Sequence, residues 1–356
     1  MVSTKRVALL AVVLIAVLGA LALFSLTVGV RNIPLSGVLH ALQSAGGQAP
    51  SDLVVWTLRL PRLLAALVCG VSFAVAGALM QGVTNNPLAS PSILGINAGA
   101  SFGLALAMIF LPAASLQVTI VSAFFGAALA TAFILVLASL KHGLTPVYIA
   151  LAGTAVSAVF MAVTQVLVVF FDVAQELSYW TAGGISGIRM ASILGVMPWT
   201  ILGLLLAVSV SRSVTLLSFG EDMAIGLGGK LSRIRLRAGL AVLILAGSAV
   251  AVAGPVGFVG LVVPHITRRI VGIDYRLVVP FSALLGALLV LVADMVARTV
   301  APPFEIPLGA VTALVGVPFF LYLANRKEVR GRCRSGVSSP HSSSWPSCSR
   351  GSSSCI

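Results

Sequence analysis

The stretch RLPRLLAALVCGVSFAVAGALMQGVTNNPLASPSILGINAGA, Arg59 to Ala100, carries its only charges at Arg59 and Arg62. The next charged residue is Lys141, so 78 consecutive residues are uncharged. A bilayer crossing needs about 20 apolar residues. The run therefore holds more than two spans, and its divisions are read from turn chemistry. TNNPLASP (Thr84–Pro91) is the first break, because paired asparagines followed by prolines do not continue a helix. Leu111-Pro112 is the second. This gives a span ending near Gln81, a span Ser92–Phe110 and a span Leu116–Leu140. Pro61 suits the first turn of a helix, where its missing N–H is harmless.

Composition agrees. The 356 residues are 59% hydrophobic and 9% charged, with mean hydropathy +1.11, whereas soluble domains carry about 25% charged residues. The reading is an all-α polytopic membrane protein. The net charge of +13 does not signal nucleic acid, since no aromatic–basic interleaving offers a base-stacking surface. The uncharged run Val7–Val30 exceeds the about 7–15 residues of a signal-peptide core, so Val7–Val28 is the first span. Further spans are expected at Val147–Phe171, Ala191–Ser211, Ala238–Ala253, a short one within Gly254–Gly272, Leu277–Val296 and Ile306–Ala324. Asp172–Arg189 is expected outside, with a short helix in ELSYWTAGGISG that ends at its glycines. Ten spans place both termini in the cytoplasm. Seventeen of the 22 Lys and Arg residues then fall inside and five outside, as the positive-inside rule requires. No internal repeat is visible, so an inverted-repeat carrier gains no support. Residues 1–330 read as one transmembrane domain. Residues 331–356 are Ser-, Arg- and Cys-rich without periodicity. They read as a disordered tail that resembles out-of-frame translation.

One charged insert interrupts the later spans: RSVTLLSFGEDMAIGLGGKLSRIRLR, Arg212–Arg237. Unpaired charge in lipid is expensive, so the insert lies outside the hydrocarbon. Its alternation of apolar groups with Gly220, Gly226, Gly228 and Gly229 suits two short helices broken at glycines. Two readings are open from this stretch alone: a basic loop that fixes topology, or a folded knuckle presented to a soluble partner. GLGGKL (Gly226–Leu231) is not a phosphate loop. Ala224 stands where the first glycine is required, and Leu231 follows Lys230 where Ser or Thr is required.

The outside arginines, Arg31, Arg59, Arg62, Arg189 and Arg298, work against the charge bias. Arg59 and Arg62 are spaced to share a helical face, and Arg298 closes a later span on the same side. Outward guanidiniums are a natural dock for carboxylates of another protein; snorkelling to headgroups is the alternative for Arg31 and Arg189. Asp294 is an acid inside a span, four residues before Arg298, and a structural pair with Arg298 is expected over an ion-coupling site. Gly95, Gly99 and Gly103, Gly70 and Gly77, and Gly153 with Ser157 mark close helix packing. A transport path along Thr154, Ser157 and Gln165 is the alternative. The four Cys and four His residues show no metal-ligand spacing. No catalytic grouping and no cofactor motif appear.

Four blocks together resemble the FecCD permease family, membrane subunits of ABC importers for iron-siderophores, haem and vitamin B12. They are Arg59–Ala100; LLSFGEDMAIGLG (Leu216–Gly228); GPVGFVGLVVPHITRRIVGIDYRLVVPFSALLGALLVLVADMVAR (Gly254–Arg298); and EIPLGAVTALVGVPFF (Glu305–Phe320). The resemblance spans about residues 5–328. It implies a ten-helix type II importer permease in the cytoplasmic membrane, with no enzymatic activity of its own. The implied partners are a second permease subunit, cytoplasmic ABC ATPase subunits and an extracytoplasmic substrate-binding protein. It further implies that Arg59, Arg62 and Arg298 receive carboxylates of the binding protein. The coupling helices would be carried by Leu217, Phe219, Gly220, Glu221, Asp222, Ala224, Gly226, Leu227 and Gly228. The cytoplasmic gate would lie at Asn86, Pro87 and Leu88 with Gly143 and Thr145. Iron-siderophore is the family's commonest cargo. The presumed path has no cluster suited to a bare metal, which fits a chelate. An ion-gradient-driven carrier using Asp294 is the rival from another class.

Overall fold

The computed structural model describes residues 4–29, 32–44, 49–112, 115–142, 146–301, 304–319 and 321. Expectations for Arg31, Gly143, Thr145 and residues 331–356 lie outside the described residues. The chain divides into a unit Met1–Gly316 and a second, Val317–Ile356, of which 317–319 and 321 are described. Among the described residues all regular structure is helical.

The helices are α1 (Thr4–Thr27), α2 (Leu35–Gln43), α3 (Pro50–Val54), α4 (Leu60–Val83), α5 (Ile96–Phe110), α6 (Leu116–His142), α7 (Pro146–Phe170), α8 (Ala174–Thr181), α9 (Met190–Ser218), α10 (Glu221–Gly226), α11 (Leu231–Ala253), α12 (Val259–Val271) and α13 (Tyr275–Thr299), followed by α14 (Leu308–Phe319). Seven helical segments are long and apolar enough to cross a membrane, and α5 and α14 are shorter apolar helices. With α12 they make up the ten expected segments. At 13 residues, α12 is only about 20 Å long, short of the about 30 Å of hydrocarbon.

Several boundaries differ from expectation. Pro61 does not stand in the first turn of its helix. Helix runs without interruption from Pro50 to Val83, and Val55–Arg59 is a turn of π-helix inside it. Pro61 lacks an N–H and crowds the carbonyl four residues earlier; one widened turn accommodates it, with the Leu60 N–H bonding to the Val55 carbonyl. At the other end, α9 continues to Ser218 and α11 begins at Leu231. The charged insert therefore contains one short helix, α10, between two long ones that extend past the expected spans.

Helix α4 is the centre of the bundle. It packs against α13, α11, α9 and α12, and its inward residues are small (Ala65, Ala66, Ala74, Ala76, Ala78). Small residues let backbones meet where lipid provides no hydrophobic drive for association. A Cβ at Gly70 would fall under 3.0 Å from the Gly286 carbonyl of α13, and one at Gly77 likewise from Gly260 of α12. Gly99 of α5 meets Gly126 of α6 in the same way, and Gly103 meets the Ser122 carbonyl of α6. Of the expected small residues, Gly70, Gly77, Gly99 and Gly103 thus lie at helix contacts. By contrast α1 is buried only at Ser25 and Leu26 in its last turn, and α7 exposes Val159, Met161, Val166 and Val169.

These contacts make a contrast testable. Gly70→Ala should destabilise the detergent-solubilised protein by about 1–3 kcal/mol, the cost of overpacking. Gly19→Ala, where a Cβ meets nothing within 4 Å, should change stability by no more than about 0.5 kcal/mol. Thermal melts of both variants check this.

Candidate functional site: an ionic cluster and an apolar knuckle

At the end of the bundle where α4 begins and α13 finishes, charges converge that are far apart in sequence. Asp294 is 1% exposed, and a lone carboxylate there would carry a large desolvation cost. Arg62 Nε donates to Asp294 Oδ1 at 2.8 Å. The expected pair with Arg298 is present as a longer contact, 3.5 Å from Arg298 Nε to Asp294 Oδ2. It is electrostatic only, since neither of those two atoms has a hydrogen-bond partner. Arg62 is therefore the closer partner of Asp294.

Arg62 reaches a second acid. Its Nη1 lies 2.7 Å from Glu305 Oε1, on the connection between α13 and α14. Burial alone would raise the Glu305 pKa, but hydrogen bonds from Arg62 and Ser186 and the nearby guanidinium charges hold it below the ordinary glutamate range. Its stabilising contribution is thus present above that range and lost as pH falls through the lowered value. Sequence reasoning gave Glu305 no role. The available signal was an acid on a short connection on the same side as Arg298.

Arg59 and Arg298 serve the first helix. The last carbonyls of an α-helix lack intrahelical partners, and α1 has no basic residue in its own last turn. Arg59 Nη1 donates to the Leu26 carbonyl. Arg298 donates to the Val28 carbonyl at 3.2 Å and to Ser25 Oγ at 2.5 Å. Both arginines are 7% exposed. Arg59 and Arg62 therefore face different neighbours, on either side of the junction between the π turn and Pro61. Of the other outside arginines, Arg189 is exposed. A cleft of about 930 Å³ opens beside the cluster, lined by Arg62, Trp180, Ser186, Phe304 and Glu305 among others. Its α8 wall is held by Gly184 N–H donating to the Ala253 carbonyl at 2.8 Å.

The opposite end carries the knuckle. Helix α10 starts after Gly220, whose φ of 125° no L side chain readily adopts. Glu221 and Asp222 occupy its first turn, where the helix dipole favours acids. Ala224 and Leu217 are buried, while Phe219, Met223, Ile225 and Leu227 are all more than half exposed. Glu221 Oε1 pairs with Arg235 Nη2 at 2.5 Å. Arg235 thus fastens α10 to α11.

The NNPLA turn meets this knuckle. Asn85 takes a left-handed conformation (φ 47°), which asparagine tolerates better than most residues. Its side-chain amide donates to the Leu217 carbonyl at 3.1 Å. Asn86 Oδ1 accepts from the Leu88 N–H at 3.0 Å, an Asx turn that leads through Pro87. Two stretches given separate gate and coupling roles are therefore in contact. One helical turn further in, Gln81 donates to the Gly260 and Leu261 carbonyls and accepts from Arg268 Nη2 at 2.5 Å. Thr215 of α9 donates to Asp274 at 3.2 Å and accepts from the Tyr275 N–H at 2.9 Å. Gln81, Arg268 and Thr215 were not singled out from sequence. Among the described residues no group of His, Cys, Asp and Glu could hold a metal ion.

Apolar spans joining two chemically distinct ends make a polytopic membrane protein the class that this fold defines. The family follows from comparison: residues 9–326 match the FecCD transport family, and the chain belongs to it. The iron(3+)-hydroxamate import system permease protein FhuB of Bacillus subtilis (strain 168) is 44% identical, over 87% of this chain and 81% of that protein. The Fe(3+)-citrate import system permease protein YfmD of the same organism is 43% identical, over 91% of this chain and 96% of its own length. A solved structure described as an inward-facing conformation of a metal-chelate type ABC transporter matches with TM-score 0.77 at 29% identity, covering 88% of this chain and 97% of that one.

Asp294→Ala should destabilise the fold by about 3–5 kcal/mol, because it strands buried guanidinium charge. The double variant Asp294→Ala with Arg62→Gln should lose less than the sum of the single variants. Unfolding curves of the four proteins in micelles measure the coupling, and strict additivity would refute the pair as a stabilising unit.

Proposed function

We propose that the chain is the permease subunit of an ABC importer that carries ferric siderophores across the inner membrane. The match to one permease family along residues 9–326 carries this reading. Relatives named for iron–hydroxamate and iron–citrate import support a chelated ferric cargo over vitamin B12 or haem. The proposed complex contains a second permease subunit, two cytoplasmic ATPases and an extracytoplasmic binding protein. Both termini and the knuckle face the cytoplasm in this reading, and the ionic cluster faces outward.

The proposed cycle uses both ends. A loaded binding protein sets its carboxylates on the arginine cluster, with Arg62 as the foremost contact and Arg59 and Arg298 beside it. ATP binding closes the partner ATPases on the knuckle, whose exposed Phe219, Met223, Ile225 and Leu227 offer an apolar surface outside the hydrocarbon. Movement of the knuckle is felt at the gate through the bond from Asn85 to the Leu217 carbonyl. Asn86, Pro87 and Leu88, with Gly143 and Thr145, form the gate in this proposal. A proton-coupled carrier is less well supported, because Asp294 is already engaged within the bundle, hydrogen-bonded to Arg62 and lying against Arg298.

Gly226 gives the test. A Cβ there meets nothing within 4 Å, so a side chain added at this position starts in open space on the knuckle, where a docked partner would meet it. Gly226→Trp should run as wild type on size exclusion. Its radio-iron siderophore uptake in proteoliposomes with the ATPase and binding protein should fall about tenfold or more, the effect of losing about 1.4 kcal/mol at an interface. Uptake at the wild-type rate would sink the coupling role.

A further inference from the structure

We propose that Glu305 is an internal stand-in for the docking carboxylate: it occupies Arg62 in the undocked permease and is displaced when an acidic side chain of the binding protein arrives. The inference rests on the reading of Arg62 as a docking residue.

Arg62 is held by two carboxylates of very different standing. Asp294 is 1% exposed and sits within α13 facing α4, so it cannot leave without stranding charge. Glu305 has a third of its side chain in solvent (33%) and belongs to a connection between helices. It can therefore rehydrate when it lets go. The guanidinium offers five N–H donors in a fixed fork, and an incoming carboxylate must take the Nη side to pair with it strongly. That is the side Glu305 holds, through Nη1 at 2.7 Å.

The charge balance points the same way. Three guanidiniums (Arg59, Arg62, Arg298) and two carboxylates (Asp294, Glu305) leave the cluster with one net positive charge. Withdrawal of Glu305 leaves two. An arriving carboxylate then meets a more positive and better exposed Arg62, so the exchange of one carboxylate for another is nearly neutral in charge. This favours specificity, because a group unable to form the Arg62 pair cannot replace what Glu305 supplies.

Displacement also reaches the cleft. Glu305 and Ser186, the latter on the connection between α8 and α9, line the cleft of about 930 Å³ together with Trp180. Exchange at Arg62 thus alters the cleft wall where Glu305 leaves it. Glu305 makes arrival of the partner detectable inside the permease.

The test uses the full permease with its ATPase in nanodiscs and the binding protein encoded with them as the titrant. Glu305→Gln and Glu305→Ala should each bind it about fivefold more tightly, the effect of removing one part-exposed competing charge. Arg62→Gln should weaken docking. If Arg62→Gln weakens docking while both Glu305 variants bind at or below wild-type affinity, the stand-in is wrong and the docking reading survives. If Arg62→Gln also leaves affinity unchanged, the docking reading fails and takes the stand-in with it. The two Glu305 variants differ in retained hydrogen bonding, so misfolding of one leaves the other to decide.

Discussion

Asp294 sits in a helix that is otherwise uncharged from Leu277 to Ala297, and its burial is nearly complete. Such a carboxylate costs several kcal/mol unless opposite charge lies against it. Arg62 of α4 supplies that charge by a hydrogen bond, and Arg298, one turn along α13, by proximity. This fixes where α4 and α13 meet at one end of the bundle. The glycine contact of Gly70 with Gly286 continues the same seam toward the middle. Arg298 then extends the arrangement to α1, whose last turn is its only buried part. One acid therefore governs three helices, and the attachment of α1 depends in part on Arg298, whose charge it balances.

The other end relies largely on side-chain hydrogen bonds to backbone groups for the same task. Asn85, Gln81 and Thr215 each join a helix terminus to a neighbouring backbone group. Such ties satisfy polar groups that neither lipid nor close packing could satisfy. They bring the ends of α4 and α9 and the starts of α12 and α13 into one junction beside α10. From Arg62 to Gln81, α4 spans about 29 Å at 1.5 Å per residue. The ionic cluster and the junction are thus opposite ends of one stiff, centrally packed helix. A displacement at either end has few ways to be absorbed between them.

Much of this was legible in the sequence. The charge-free run after Arg62, the NNPLASP break and the glycine spacings locate spans and seams, because lipid imposes a length and forbids unpaired charge. What was not legible depends on partners distant in sequence. Pro61 read as a helix start, since proline's preference for a first turn is a local rule; the helix instead begins at Pro50 and absorbs the proline in a π turn. The insert read as two short helices because its glycines mark breaks, yet α9 runs on to Ser218 and α11 begins at Leu231, with Arg235 gaining a carboxylate partner. Glu305 was silent because nothing in its neighbourhood indicates that it meets a residue 243 positions away.

The arginines show how far a charge rule can be taken. Five basic residues outside the expected bias each require a local reason, and the rule does not say which. For Arg59 and Arg298 the structure supplies an internal one: they donate to carbonyls at and just past the end of α1. Engaging another protein would require them to give up those carbonyls or to use their remaining N–H groups from a buried position. Arg62 differs, because one of its two acids is part-exposed and held by a connection rather than by a helix. An outward arginine is a capable contact when its internal partner can be exchanged. By that criterion the three arginines are unequal, although sequence position alone would rank them together.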